Sequence, residues 1–263
     1  MRKNRLRAAL AAGQVVFGTM LQEARSPAAA LILANAGYDF VFVDLEHGVY
    51  DLETAAVLIA TLRLTGTTAL VRVPDAEYHW ISRLLDAGAE GVMVPRIESR
   101  AQVEHVVSCV RYPPLGRRGC SVTKGHNDYR RGDLGTFTQE ANRENLVILQ
   151  IERREAVEGI EELLSVPGVD VALVGPNDLA LSLGVPLDFA HPALHDGITG
   201  VIAACRRHHT ACGIHTGSTQ DLLAWQREGM QMLMYSTDVD MLISASEQGL
   251  AALRRGTVAA RAA

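Results

Sequence analysis

The chain has 263 residues and a formal charge of −5, with 25 basic and 30 acidic side chains mixed along its length. It therefore lacks a basic stripe to neutralise a phosphate backbone, and nucleic acid is excluded as an expected partner. A composition that is 48% hydrophobic but only 5% aromatic suits helices packed on a sheet better than an all-β sandwich.

The basic, Ala-rich start MRKNRLRAALAAG has the outline of a signal peptide, but its apolar run is short and Gln14 interrupts it, so it reads as a first amphipathic helix. Beyond it, short apolar runs alternate with segments of helical period. The strands are VVFGTM (15–20), FVFVD (40–44), ALVRV (69–73), GVMV (91–94), VILQI (147–151), VALV (171–174), CGIH (212–215) and MLMY (232–235). Helical patterns such as LETAAVLIATLRL (52–64), EYHWISRLLDAG (77–88) and HDGITGVIAACRRHH (195–209) lie between them, and several end in Gly or precede Pro. Eight βα units predict an α/β fold, a single (β/α)8 TIM barrel over 1–263, although an open eight-stranded sheet reads much the same way.

The widest gap between strands is expected to be a long loop at about 96–146, with a centre, YPPLGRRGCSVTKGHNDYRRGDLG (112–135), dense in Pro, Gly and charge. No dinucleotide or phosphate-binding glycine motif occurs. No stretch approaches the roughly 18 apolar residues of a membrane span. Cys109, Cys120, Cys205 and Cys212 show no metal or redox spacing, so a cytoplasmic protein with free thiols is expected.

In a barrel, residues just past the C-terminal strand ends converge on one face, where active sites form. In chain order these are Asp44, Glu46 and His47, then Arg72, Arg96, Gln150 and Glu152, then Gly175, Pro176, Asn177 and Asp178, and finally His215. Glu152 and Asp178 suit a hard divalent cation, which one or two carboxylates hold together with waters and substrate oxygens. The alternative is that Glu152 pairs with Arg153 or Arg154 while Asp178 caps the short helix after it. Arg72 sits between Val71 and Val73, where an unpaired guanidinium costs on the order of several kcal/mol. It needs an anion, either a substrate oxygen or a strand-end carboxylate in a structural ion pair. His47 is placed as a base that titrates near neutral pH, or as a structural histidine. His208 and His209, beside Arg206 and Arg207, read as solvated surface.

The pieces AGYDFVFVDLEHG (36–48), VRVP (71–74), LLDAGAEGVMVPRIES (84–99), YPPLGRRG (112–119), LQIERREAVEGIEELLSVPGVDVALVGPNDLALSLG (149–184) and GIHTG (213–217) span most of the chain. Together they resemble the HpcH/HpaI family of metal-dependent (class II) pyruvate aldolases, which includes hydroxy-oxo-heptanedioate aldolase and 2-dehydro-3-deoxyglucarate aldolase. The resemblance implies reversible cleavage of a 4-hydroxy-2-oxo acid into pyruvate and an aldehyde through a metal-stabilised enolate. It implies that Glu152 and Asp178 hold the cation, Mg2+ or Mn2+ with Co2+ as a further option. Gln150, Gly175 and Pro176 would line the pyruvate pocket, Arg72 would face the C2 oxygen and His47 would move protons. Oxaloacetate decarboxylation through the same enolate and a non-catalytic ligand-binding barrel are the competing readings.

The family pairs the histidine with an aspartate that matches Asp86, at a helix end. Helix C-termini in a barrel lie opposite the strand C-termini, so Asp86 is expected to reach a catalytic mouth only from a neighbouring subunit, in keeping with a homohexamer. Two positions depart from the family pattern: Met20 replaces an aromatic residue and Leu31 a glutamate. The segment GCSVTKGHNDYRRGD also differs, in a region that normally meets the aldehyde half. Lys124, His126 and Arg130 are candidates there for a second carboxylate or sugar hydroxyls, and Lys124 is the lysine to test for Schiff-base chemistry.

Overall fold

Eight parallel strands close on themselves in chain order: β1 (Val16–Leu21), β2 (Phe40–Asp44), β3 (Thr68–Arg72), β4 (Gly91–Val94), β5 (Leu146–Ile151), β6 (Val171–Val174), β7 (Ala211–Thr216) and β8 (Met232–Thr237). This computed structural model describes residues 1–186 and 188–262, with 256–262 described as backbone alone. The strands are buried on both faces, which is why each reads as an apolar run and not as an alternation. Phe40, Phe42, Leu70, Met93, Ile148, Leu173, Met232 and Met234 fill the barrel. Val41, Val43, Val71, Val92, Leu149 and Ala172 point outward into the shell between sheet and helices. Gly18 makes room for the interior: a Cβ there would stand 2.1 Å from the Phe40 ring.

The first helix, α1 (Arg5–Ala11), closes the base of the barrel, where Leu6 and Leu10 join the interior cluster. Asn4 caps it and also donates from Nδ2 to the carbonyls of Glu90 (2.9 Å) and Glu144 (3.0 Å). The helices α2 (Pro27–Asn35), α3 (Leu52–Thr65), α4 (Tyr78–Ala87) and α5 (Arg100–Val110) follow successive strands. Then come α6 (Leu134–Glu144), α7 (Arg154–Glu158), α8 (Ile160–Leu164), α9 (Pro176–Ser182), α10 (Pro192–His208), α11 (Thr219–Arg227) and α12 (Asp238–Ala262). Ser26, Asp51, Ser99, Asp133 and Ser218 cap helices through side-chain oxygens. Gly66 and Gly88 end α3 and α4 in the left-handed region, at φ 84° and 119°. No helix among the described residues is long and apolar enough to cross a membrane.

The segment expected as a loop at 96–146 differs from that expectation, because it holds α5, α6 and a 3-10 turn at Gly125–Asn127. Its Pro and Gly density hid the helices, although Ser99 and Gln102 form a capping box whose spacing is visible in the sequence. Since α5 runs from the mouth back to the base, the chain after it lies at the base. There Gly125 packs so closely on α4 that a Cβ would stand 2.2 Å from the Ala87 carbonyl. Arg63 donates to the Gly88 carbonyl at 2.9 Å and to Asp128 at 3.0 Å, which ties the segment to α3 and α4.

Glu90 is a buried carboxyl in this base, and its Oε2 accepts the Ala69 N–H at 3.1 Å. Burial raises its pKa, outweighing Arg63 and that N–H. A carboxyl raised in the folded state favours folding when protonated, and that contribution is lost as pH rises through its folded value. Glu90→Gln, which keeps an acceptor for Ala69, is therefore expected to gain stability relative to the parent as pH rises from about 4, the ordinary carboxylate range, toward 7. Thermal unfolding across that range checks it, and a gap that shrinks with rising pH contradicts it.

Candidate active site

The loop after β2 is built around Asp44. This fully buried residue accepts Arg72 Nε on Oδ1 at 2.7 Å and Arg72 Nη2 on Oδ2 at 2.6 Å, a bidentate pair between the ends of β2 and β3. Oδ1 also accepts the Glu46 N–H at 3.0 Å, and Oδ2 accepts Gln22 Nε2 at 2.8 Å. Burial pushes the Asp44 carboxyl up, but Arg72, Gln22 and the Glu46 N–H together hold it below the ordinary range. Burial likewise opposes the charge on Arg72, and Asp44 and Glu46 more than restore it. Of the two partners left open for Arg72 by the sequence, the strand-end carboxylate is present. Gly48 allows the tight turn that follows, since a Cβ there would meet the Asp44 carbonyl at 2.1 Å.

Arg72 Nη1 lies 3.1 Å from Glu46 Oε2, an oxygen that has no aligned hydrogen bond among the described residues. The other Glu46 oxygen accepts from Arg96, whose guanidinium also donates to the Pro74 carbonyl. Arg96 takes a left-handed φ of 53°, a conformation that costs a non-glycine residue about 1–3 kcal/mol. Its N–H reaches Glu152 Oε1 at 2.7 Å.

Glu152, just beyond β5, is buried, and its other oxygen accepts from Gln150 Nε2. Burial raises its pKa, and the nearby carboxylates of Glu46 and Asp178 raise it further against the Arg96 N–H and Arg72. Asp178 is exposed in the first turn of α9 and makes no hydrogen bond or ion pair among the described residues. The alternatives considered for this pair are absent: Gly175 is the N-cap of α9 with no side-chain cap, Arg153 faces Glu98 at 3.7 Å, and Arg154 bonds Ser182 and Leu183.

These oxygens suit a hard cation. Gln150 Oε1 is a buried acceptor without a donor among the described residues, and a Cβ at position 175 would stand 3.0 Å from Gln150 Nε2 and 3.1 Å from Glu152 Oε2. Glycine thus keeps space open beside the carboxylate. Among the described residues no cluster of three or more His, Cys, Asp or Glu side chains is assembled for a metal. The two-carboxylate set leaves the remaining positions for water and substrate, as Mg2+ chemistry requires.

A cavity of about 260 Å3 joins these groups at the mouth, lined by Arg72, Gln150, Gly175, Pro176 and Asp178 together with His47. His47 is exposed at its rim, and its side chain makes no hydrogen bond among the described residues. A larger cavity of about 690 Å3 opens alongside, between α10, α11 and β7. It shares Pro176, Asn177, His215 and Asp240 with the first but touches none of Arg72, Gln150 and Asp178, so the chemistry belongs to the smaller one.

Asp86 is not brought to this mouth. At the base of its own barrel it accepts Arg118 at 2.7 Å and lies 3.3 Å from His126 Nδ1, and these contacts lower its pKa against the effect of burial. Lys124 and Arg130 are exposed in the same basal segment, and no lysine lines the mouth cavity among the described residues. Met20 lies within the barrel, and Leu31 is exposed on α2.

Gln22, Thr237 and Asp240 also line the mouth, and the sequence reading does not reach them. Both end strands run further than their apolar cores suggest, to Leu21 and Thr237, so the polar residues past them escape a reading by strand ends. Asp238 tightens this junction by accepting the N–H groups of Gln22 (2.8 Å) and Ala24 (2.8 Å).

The HpcH/HpaI aldolase/citrate lyase family signature matches residues 19–245. The chain is 32% identical over 251 residues to the hydroxypyruvate/pyruvate aldolase of Roseovarius nubinhibens, covering 95% of this chain and 97% of that one. It is 33% identical to the 2-dehydro-3,6-dideoxy-6-sulfogluconate aldolase of Pseudomonas putida, over 90% and 92% of the two chains. The crystal structure of an HpcH/HpaI aldolase from Desulfitobacterium hafniense superposes with a TM-score of 0.91 at 34% identity, covering 95% of this chain and 96% of that one.

Removing the buried anion while leaving Arg72 should be costly. Asp44→Asn is expected to lose about 3–5 kcal/mol in denaturant unfolding at neutral pH, and Asp44→Asn with Arg72→Met should recover much of that loss. Because the folded pKa of Asp44 is depressed, the stabilisation is complete above the ordinary aspartate value of about 3.9 and is lost as pH falls through the folded value. A single variant as stable as the parent contradicts the pairing.

Proposed function

We propose that this chain, which belongs to the HpcH/HpaI aldolase/citrate lyase family, uses the mouth cavity to cleave a 4-hydroxy-2-oxo acid into pyruvate and an aldehyde, and to run the reverse condensation. As a member it is a carbon-carbon lyase. The observation that carries the reading is Arg72: Asp44 locks two of its nitrogens, and its guanidinium borders the same cavity as Gln150, Gly175 and Asp178.

Cleavage begins with loss of the C4 hydroxyl proton, which His47 at the rim accepts. As the aldehyde carbonyl forms, the C3–C4 electron pair becomes the C2–C3 double bond and the C2 carbonyl π pair moves onto its oxygen, giving the enolate of pyruvate, and proton uptake at C3 completes the product. Arg72 faces the oxygen where this charge develops. Held charged and oriented by Asp44, it needs no reorganisation as the reaction proceeds. Gln150 orients the 2-oxo acid, and the absence of a side chain at Gly175 lets the substrate carboxylate approach the backbone there and at Pro176. Glu152 and Asp178 would hold a divalent cation, Mg2+ or Mn2+, which when bound supplies Lewis-acid stabilisation of the same developing charge.

Asp86 enters this scheme from a second copy. It sits beside the basal segment of its own barrel, so a dyad with His47 requires a neighbouring subunit, and we infer a homo-oligomer of hexameric type with shared sites. Leu242, Ile243 and Leu250 on α12 are exposed and suit burial between copies.

Two measurements check this. Glu152→Gln and Asp178→Asn should each weaken Mn2+ binding, followed by electron paramagnetic resonance, by about tenfold or more while the folded state persists; unchanged affinity removes them as ligands. Mixing inactive Asp86→Asn with inactive Arg72→Met subunits should restore part of the activity, because some mixed interfaces join an intact Asp86 to an intact Arg72. Mixtures as inactive as their components place Asp86 outside the site.

A further inference from the structure

His215 ends the inner face of β7, lines both cavities at the mouth and takes no part in the chemistry above. Its Nε2 lies 3.0 Å from the Ser236 carbonyl. A carbonyl only accepts, so Nε2 carries the ring proton. That carbonyl is fixed from several sides. Ser236 takes a left-handed φ of 56°, and Thr19 Oγ1 donates to the same oxygen at 3.3 Å. Between Met234 and Thr237 three steps along β8 match two along β1, a bulge of the sort that re-aims groups beside active sites.

Burial lowers the His215 pKa against the pull of the Ser236 carbonyl, and Arg72 lowers it further, so the ring is neutral. Nδ1 is then a bare acceptor, with no hydrogen-bond partner among the described residues. Beside it, Asp240 on the first turn of α12 accepts from Thr237 Oγ1 at 3.1 Å and exposes further acceptor capacity to both cavities. The larger cavity adds Asp221 and Glu228 and is lined by no lysine or arginine among the described residues. A wall of acceptors with negative charge recognises hydroxyl donors and repels carboxylates.

We propose that His215 and Asp240 form a specificity wall for the aldehyde half of the substrate, selecting a neutral hydroxyaldehyde through a hydrogen bond from its hydroxyl to His215 Nδ1. The assignment rests on the aldolase reading. It deepens that reading by giving the aldehyde a chemical class, and it moves recognition of the aldehyde from Lys124, His126 and Arg130 at the base to β7 and α12.

The test uses three two-carbon acceptors with pyruvate: glycolaldehyde, acetaldehyde and glyoxylate, in which the aldehyde group carries CH2OH, CH3 and a carboxylate respectively. Ratios of kcat/KM within one protein are compared between proteins, so intrinsic aldehyde reactivity cancels. His215→Leu should lower the glycolaldehyde to acetaldehyde ratio about tenfold or more, the loss expected when a substrate hydroxyl forfeits its buried partner. His215→Gln, which keeps a donor for Ser236 but no acceptor at Nδ1, should match it. His215→Asn, which keeps the acceptor, should retain more of the ratio. Asp240→Asn should raise the glyoxylate to glycolaldehyde ratio several-fold. Unchanged ratios overturn the wall, and a change confined to hydroxypyruvate against pyruvate as nucleophile overturns its assignment to the aldehyde. Parent protein that exchanges no pyruvate methyl protons fails the aldolase reading itself, whereas exchange with unchanged ratios fails only this inference.

Discussion

The buried pair between Asp44 and Arg72 is the constraint on which the mouth of this barrel depends. A guanidinium placed at the end of an apolar strand must be neutralised where it stands, and the carboxylate one strand away does so with two parallel hydrogen bonds. Having satisfied Arg72 Nε and Nη2, Asp44 directs the remaining nitrogen toward Glu46 and fixes the turn of the loop through the Glu46 N–H. Glu46 in turn positions Arg96, and the backbone of Arg96 holds Glu152. One ion pair thus transmits its geometry from β2 to β5, and the proposed cation ligand is placed by a chain of contacts that starts with a structural anion.

The barrel separates two kinds of polar cluster. At the mouth, burial raises the pKa of Glu46 and of Glu152, and the nearby Asp178 carboxylate adds to both shifts, an arrangement that costs stability unless a cation joins it. At the base, Asp86, Asp128 and Asp170 each have arginine partners and serve to pin connecting segments. Glu152 and Asp178, which have no ion pair among the described residues, at one end and paired aspartates at the other are the pattern expected of a fold whose function lies at the C-terminal strand ends. It also makes the basal position of Asp86 informative, since any role for it in catalysis has to pass through a second subunit.

Much of this was legible in the sequence. The eight apolar runs correspond to the eight strands because parallel strands buried on both faces leave no alternation to mislead. Asp44, His47, Arg72, Gln150, Glu152 and Asp178 could be placed at strand ends on the same ground. Asp51, in the loop after β2, is a helix cap, a local role that its position just before LETAA permits. What the sequence obscured depended on three-dimensional detail. The helices α5 and α6 were masked by the Pro- and Gly-rich stretch between them. Thr237 ends a strand that extends beyond its apolar core, Gln22 and Asp240 lie past two such strands, and the orientation of His215 depends on a bulge in β8 that no residue pattern announces.

The most direct test of the central claim is deuterium exchange at the pyruvate methyl group, followed by NMR with metal-stripped protein and again after addition of Mg2+ or Mn2+. Exchange is expected to require the cation and to fall by about tenfold or more when Arg72 is replaced by Met, because enolate charge then lacks its oriented donor. Exchange that is indifferent to both, or absent with every cation, would contradict it and favour a ligand-binding barrel without enolate chemistry.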